Sequence, residues 1–289
     1  MRRSVSLFAT AAALASILAT GAHASQILAS SETDPPAAVR KLKVIGLTDD
    51  GRLVRFNSRN PAGAREIGPV SGLMGLDTAL VGIDYRVQDG LLYGVGNAGG
   101  VYTLDTNTAV ATLVSQVTVP LDGVQFGVDF NPAADRLRIT SDTGQNLRHN
   151  VNAGGTTTVD LSLNYTAGVT APGLSGSAYT NNDLNTGTGT TLFGVDPSVG
   201  MDQVVVQSPP NNGSLVSTGK LTVDPTAGIG FDIYTTLGKS GEADINDGFA
   251  VLTVNGFPGF YFVSLLTGEA NLIDLFDMPV SDIAIPLNQ

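Results

Sequence analysis

The sequence predicts an all-β chain folded as a β-propeller of five four-stranded blades, closed between its N- and C-terminal strands. Three observations carry that prediction. Short apolar stretches alternate with Gly, Asn and Asp turns along most of the chain, and those residues tolerate the positive φ that tight hairpins need. A four-strand unit then recurs: its opening glycines, Gly82, Gly127, Gly176 and Gly230, lie 45, 49 and 54 residues apart. A self-similar period of that length, made of antiparallel meanders, reads as propeller blades. The ends complete the pattern, because the first unit is one strand short and the last residues supply a spare one. Joining them removes exposed sheet edges. A flat sandwich of the same strands is the alternative.

The elements follow in order. Met1-Arg2-Arg3, an apolar run from Val5 to Ala19, and Ala22-His23-Ala24 have the three parts of a secretory signal peptide, residues 1–24. The run is short for a membrane span, which needs roughly 20 residues. General secretion then places the mature chain in the periplasm or outside the cell. Residues 25–41, with Pro35-Pro36, read as a flexible lead-in. Residues 42–289 read as one domain.

Lys43 to Leu47, Arg52 to Phe56 and Ala64 to Val70 are the three strands of the short first unit. The second unit runs Gly82-Ile83-Asp84-Tyr85, Leu91 to Val95, Val101 to Asp105 and Ala109 to Val117. The third opens at Gly127-Val128-Asp129-Phe130 and continues through Arg136 to Thr140, Asn146 to Val151 and Thr156 to Leu161. The fourth opens at Gly176-Ser177-Ala178-Tyr179, the fifth at Gly230-Phe231-Asp232-Ile233. Ser281 to Ile285 is the spare strand. Two longer polar insertions, Asn181 to Gly189 and Gly238 to Gly248, join first to second strands, so both belong to one face of the ring.

Charge and composition exclude several functions. Without Arg2 and Arg3, 13 basic side chains face 26 acidic ones. Such a surface repels phosphate backbones and anionic lipid heads, against nucleic acid or membrane partners. With no cysteine, an exported chain has no disulfide to lean on, so its core must supply the stability. A monomer is expected.

Phe126-Gly127-Val128-Asp129-Phe130-Asn131-Pro132 leads into Ala134-Asp135-Arg136-Leu137-Arg138, and Gln145-Asn146-Leu147-Arg148 follows. With Gly176-Ser177-Ala178-Tyr179-Thr180-Asn181-Asn182 and Ser208-Pro209-Pro210-Asn211-Asn212-Gly213, the chain resembles the bacterial family called domain of unknown function 4394 over roughly residues 42–288. The resemblance implies exported, propeller-like proteins and carries no activity.

Several motifs have bland readings that outweigh the sharp ones. Gly94-Val95-Gly96-Asn97-Ala98-Gly99 matches a dinucleotide fingerprint, but a strand follows where a helix N-terminus is needed. Gly238-Lys239-Ser240 resembles a P-loop tail with Ile233 where a glycine is required. Asp244 to Gly248 nearly spells a calcium loop, with its glycine one place early, and reads as a polar turn. His149 is the only histidine after the signal peptide, and no G-x-S-x-G elbow accompanies it, against a serine triad or zinc.

Two clusters remain. Asp84, Asp129 and Asp232 occupy one place in three opening strands, with Asp282 close to it, and Ala178 interrupts the series. Innermost carboxylates of this kind suit calcium, a hard cation that takes oxygen ligands; the bland alternative is turn capping or pairing between blades. Arg136, Arg138 and Arg148, with Asn146, gather positive charge in an acidic chain. Guanidinium forks suit an anionic ligand or acidic loop, while the bland reading pairs them with aspartates of adjacent blades. The sequence thus points to an exported, non-enzymatic binding or scaffold propeller that contacts a protein or glycan. The alternative is a calcium-dependent hydrolase or lyase using carboxylates near the channel.

Overall fold

The structure, a computed structural model, describes residues 40–185, 187–198 and 200–289. The expected signal peptide and nearly all of the lead-in lie outside the described residues. Strands β1 (Lys43–Thr48), β2 (Arg52–Asn57) and β3 (Asn60–Pro69) come first. β4 (Leu80–Tyr85), β5 (Leu92–Gly96), β6 (Gly100–Leu104) and β7 (Ala111–Gln116) form the second sheet. The third holds β8 (Phe126–Asn131), β9 (Arg136–Ser141), β10 (Asn146–His149) and β11 (Thr157–Val159). A two-stranded hairpin follows, β12 (Asn164–Thr166) and β13 (Val169–Thr170). The fourth sheet holds β14 (Gly176–Tyr179), β15 (Leu192–Asp196), β16 (Gln203–Gln207) and β17 (Leu215–Lys220). The fifth holds β18 (Pro225–Leu237), β19 (Ala243–Val254), β20 (Phe257–Val263) and β21 (Ala270–Leu275).

The last strand, β22 (Val280–Ala284), returns to the start and pairs antiparallel with β1, Gly46 opposite Ile283. The first sheet therefore reads β22-β1-β2-β3. This is the predicted five-bladed propeller, closed by a strand from each end. The innermost strands touch in a ring, β22 to β4 to β8 to β14 to β18 and back to β22.

Each blade packs both faces against neighbours, and period-2 alternation in the strands serves both seams at once. Val44 faces the fifth blade with Phe249 and Phe260, while Ile45 and Leu47 face the second with Ile83 and Leu92. The closing seam is aromatic: Phe56 meets Phe260 and Phe276 edge-on at 5.2 and 5.0 Å, and Phe249 stacks on Phe260 at 5.4 Å. The repeated opening glycine also has a reason. A Cβ at Gly127 would stand 2.6 Å from the Ser177 nitrogen, and one at Gly230 would stand 2.5 Å from the Asp282 Cα. Inner strands approach there more closely than a side chain permits.

One reading of the sequence is corrected, and one element is added. Gly238 to Gly248 is not a polar insertion: β18 pairs with β19 out to Leu237 opposite Ala243, so Asp244 to Gly248 is strand and only a short turn remains. Polar residues form strand here because the extended hairpin docks on the Asn181 to Gly189 loop. Asn246 Nδ2 donates to Asn181 Oδ1 at 2.7 Å, and the Ala243 N–H donates to Asp183 Oδ2 at 2.9 Å. The β12–β13 hairpin has no counterpart in the sequence reading, because it falls outside the repeat.

Candidate functional site

The inner strands carry their inward side chains in two tiers, and the ladder registers fix who belongs to which. Asp84 lies opposite Tyr93, Asp129 opposite Arg138, Ala178 opposite Phe193, Asp232 opposite Phe249 and Ala284 opposite Ile45. These five positions are equivalent. Asp282 is therefore not the fifth member of the aspartate series, as its neighbourhood in sequence suggests. It stands two residues earlier, level with Gly82, Gly127, Gly176 and Gly230, about 7 Å along the strand.

In the deeper tier Asp84, Asp129 and Asp232, all buried, each place a carboxylate oxygen within 4.8 Å of the others. Each also ties its blade to the next. Asp84 Oδ2 accepts the Phe130 N–H at 2.8 Å, Asp129 Oδ1 the Tyr179 N–H at 3.1 Å, and Asp232 Oδ2 the Ile285 N–H at 2.6 Å. In the upper tier Asp282 Oδ2 accepts the Ile83 N–H at 2.8 Å and Oδ1 its neighbour Ile283 at 2.9 Å. None of the ion pairs among the described residues reaches these four groups; they go to Asp50, Glu66, Asp89, Asp135 and Asp160.

Burial without a counter-charge favours the neutral acid. Burial pushes Asp232 up to about 6 and Asp282 up to about 8. Asp84 and Asp129 are raised well above the ordinary carboxylate range, by burial first and by neighbouring carboxylates second. The cluster needs positive charge, from protons or from a cation.

Above Asp282, where the inner strands begin, the channel opens into a cavity of about 430 Å³ lined by Asp49, Leu80, Gln125, Phe126, Ile229 and Asp282 among others.

The arginines have a different fate. Arg138 is 1% exposed and spends its whole fork inside: Nη1 on Asn146 Oδ1 (2.6 Å) and Asp160 Oδ2 (2.7 Å), Nη2 on Asn211 Oδ1 (3.0 Å), and Nε on Tyr179 Oη (3.2 Å). Arg148 grips the same Asp160 through Nε and Nη2 at 2.6 and 2.8 Å. Arg136 turns to the Ala134 and Asp135 carbonyls. The network fills the seam between third and fourth blades, where the apolar cluster is small. Sequence reasoning did not find Asp160 or Asn211, which lie 22 and 73 residues from Arg138.

The glycine fingerprint is a turn whose amides are already used. The Ala98 and Gly100 N–H groups and the Tyr102 hydroxyl all donate to the Asp77 carboxylate, so the chain's own anion sits where a phosphate would. His149 lies 3.0 Å from Ser115 Oγ through Nε2 and 3.0 Å from Thr157 Oγ1 through Nδ1. With a hydroxyl in place of a carboxylate behind it, this contact bridges second and third blades and lacks a triad's orienting acid.

A family model described as a domain of unknown function (DUF4394) matches residues 52–284. Among solved structures, a protein of unknown function from Bacteroides thetaiotaomicron VPI-5482 is similar at 14% identity and a TM-score of 0.47, over 86% of this chain and 68% of that one. A symmetrical protein studied for its de novo evolutionary emergence shows 15% identity and a TM-score of 0.48, over 86% of this chain and all of the other. Kuenenia stuttgartiensis hydrazine synthase shows 12% identity and a TM-score of 0.41, over 71% of this chain and 52% of that chain. Likeness at this level transfers no activity. No match was found among curated proteins.

Proposed function

The chain belongs to the family described as domain of unknown function (DUF4394), and from that premise we propose an exported, non-enzymatic binding or scaffold propeller held together at its axis by calcium. One observation carries the reading: three buried carboxylates, each from a different blade, converge within 4.8 Å. The donor set fits a hard cation. It is all oxygen, and each carboxylate keeps lone pairs after one or two N–H bonds. Asp84, Asp129 and Asp232 would hold the ion, and its charge would offset theirs across three blades. The polar face built by the Asn181 to Gly189 loop of the fourth blade and the extended β18–β19 hairpin of the fifth is where a protein or glycan would dock.

The alternative, a calcium-dependent hydrolase or lyase, draws on the cavity above the same axis. It is less well supported, because every axial aspartate is committed to a backbone N–H of a neighbouring strand, which is what a positioning role requires. The test is calorimetry of the purified mature protein with EDTA or millimolar calcium. Calcium at about 100 times its dissociation constant stabilises by about 2.7 kcal/mol, which raises Tm by roughly 5–10 °C in a domain of this size. Asp129→Asn should abolish that rise. A Tm that calcium does not move removes the cation from the proposal.

A further inference from the structure

The mouth of the channel holds unspent hydrogen-bonding capacity, and its ionisable groups among the described residues are the carboxyls of Asp49 and Asp282. Some of its polar side chains are already engaged: the Thr226 hydroxyl donates to the Thr253 carbonyl and the Ser281 hydroxyl to the Leu47 carbonyl, both at 3.2 Å. Asp49 and Gln125, in contrast, have no side-chain hydrogen bond among the described residues, and both line the cavity. Asp282 forms its floor with each oxygen accepting one N–H and able to accept another. Among the described residues no Lys, Arg or His lines the cavity, and Leu80, Phe126 and Ile229 supply apolar wall.

The acidic mouth of a protein of net charge −11 turns anions away, and an ammonium beside the buried Asp282 supplies the counter-charge that favours its ionised form. A neutral alcohol gains hydrogen bonds but no charge attraction. We infer that the mouth binds an alkylammonium group, its head between Asp49 and Asp282 and its stem against Leu80, Phe126 and Ile229. The head can come from a free amine or from a lysine side chain; the recognising chemistry is the same. Three ammonium donors match the acceptors that remain, and the Gln125 carbonyl offers a third acceptor beside the carboxylates. This site lies one tier above the proposed calcium and shares no residue with it.

The test is titration calorimetry on the mature protein in saturating calcium, so that its outcome is separate from that of the axial cation. n-Hexylammonium, n-hexanol and hexanoate share one stem and differ in the head. Hexylammonium should bind, with hexanol and hexanoate at least about tenfold weaker, and Asp49→Asn should weaken hexylammonium by about tenfold or more. Gln125→Leu, at the residue just before β8, gives a second variant, expected to weaken binding severalfold. Nα-acetyl-lysine amide against Nα-acetyl-norleucine amide separates the sources: binding of the former marks a lysine side chain, and failure of both beside a bound hexylammonium marks a free amine. Equal binding of hexanol or hexanoate, unchanged affinity in Asp49→Asn, or no heat with hexylammonium at millimolar concentration overturns the inference.

Discussion

Replacing Arg138 with Met separates a structural arginine from a ligand-binding one. Met keeps an apolar stem of similar length and deletes the fork. Four hydrogen bonds vanish, to Tyr179, Asn146, Asp160 and Asn211. Asn146 still receives the Gln207 amide at 3.2 Å, and Asp160 still pairs with Arg148, but Asn211 loses the partner of its Oδ1. Removing one member of a buried ion pair costs about 3–5 kcal/mol. Arg138 and Asp160 are 1% and 4% exposed, so solvent screens little of it, while the retained Arg148 contact, 32% exposed at the arginine, favours the lower end. In a domain of this size about 3 kcal/mol lowers Tm by roughly 6–12 °C. The assay is urea unfolding followed by far-ultraviolet circular dichroism, with Arg136→Met in parallel. Arg136 bonds only nearby carbonyls, and its loss should stay within about 0.5 kcal/mol. A cost below about 1 kcal/mol for Arg138→Met, with an unchanged denaturant slope, would refute the network as a stabilising seam.

Other outcomes follow from the same structure. Deleting residues 280–289 removes Val280, Ile283 and Ile285, each 3% exposed or less. At about 1.5–3 kcal/mol per buried side chain the loss rivals the whole stability of a typical domain, about 5–15 kcal/mol, so the truncated chain should not fold cooperatively; a sharp calorimetric transition near the parent's would contradict closure. In EDTA, stability should decline as pH rises, because carboxylates with raised folded pKa values stabilise fully below their unfolded value and lose that contribution through about 6 for Asp232 and about 8 for Asp282. Calcium should flatten the decline, and a cation-free profile that rises instead speaks against the buried cluster. Burial lowers the pKa of His149, which has the opposite sign: its stabilisation is present above the unfolded value near 6.5 and is lost as pH falls toward the folded one. His149→Gln should therefore show a shallower acid limb than the parent, measured as the difference between the two profiles; identical limbs would mean that the imidazole charges freely in place.

Blade count and closure were legible because they rest on local chemistry. Turn residues, period-2 strands and an opening glycine are decided within a few residues, and each unit repeats them. Asp84, Asp129 and Asp232 were legible as a set for the same reason: the repeat aligns them, and the axis of a closed ring brings aligned positions together. The tertiary structure alone decided what long-range contacts decide. The register of β22 on β1 moved Asp282 to the upper tier and put Ala284 in its place. Asp160 and Asn211 turned Arg138 inward, Asp77 filled the glycine turn, and the docking of Asn181 on Asn246 drew a polar stretch into strand. A side chain's partner across a seam is set by packing between residues tens of positions apart, and nothing in the local sequence encodes that pairing.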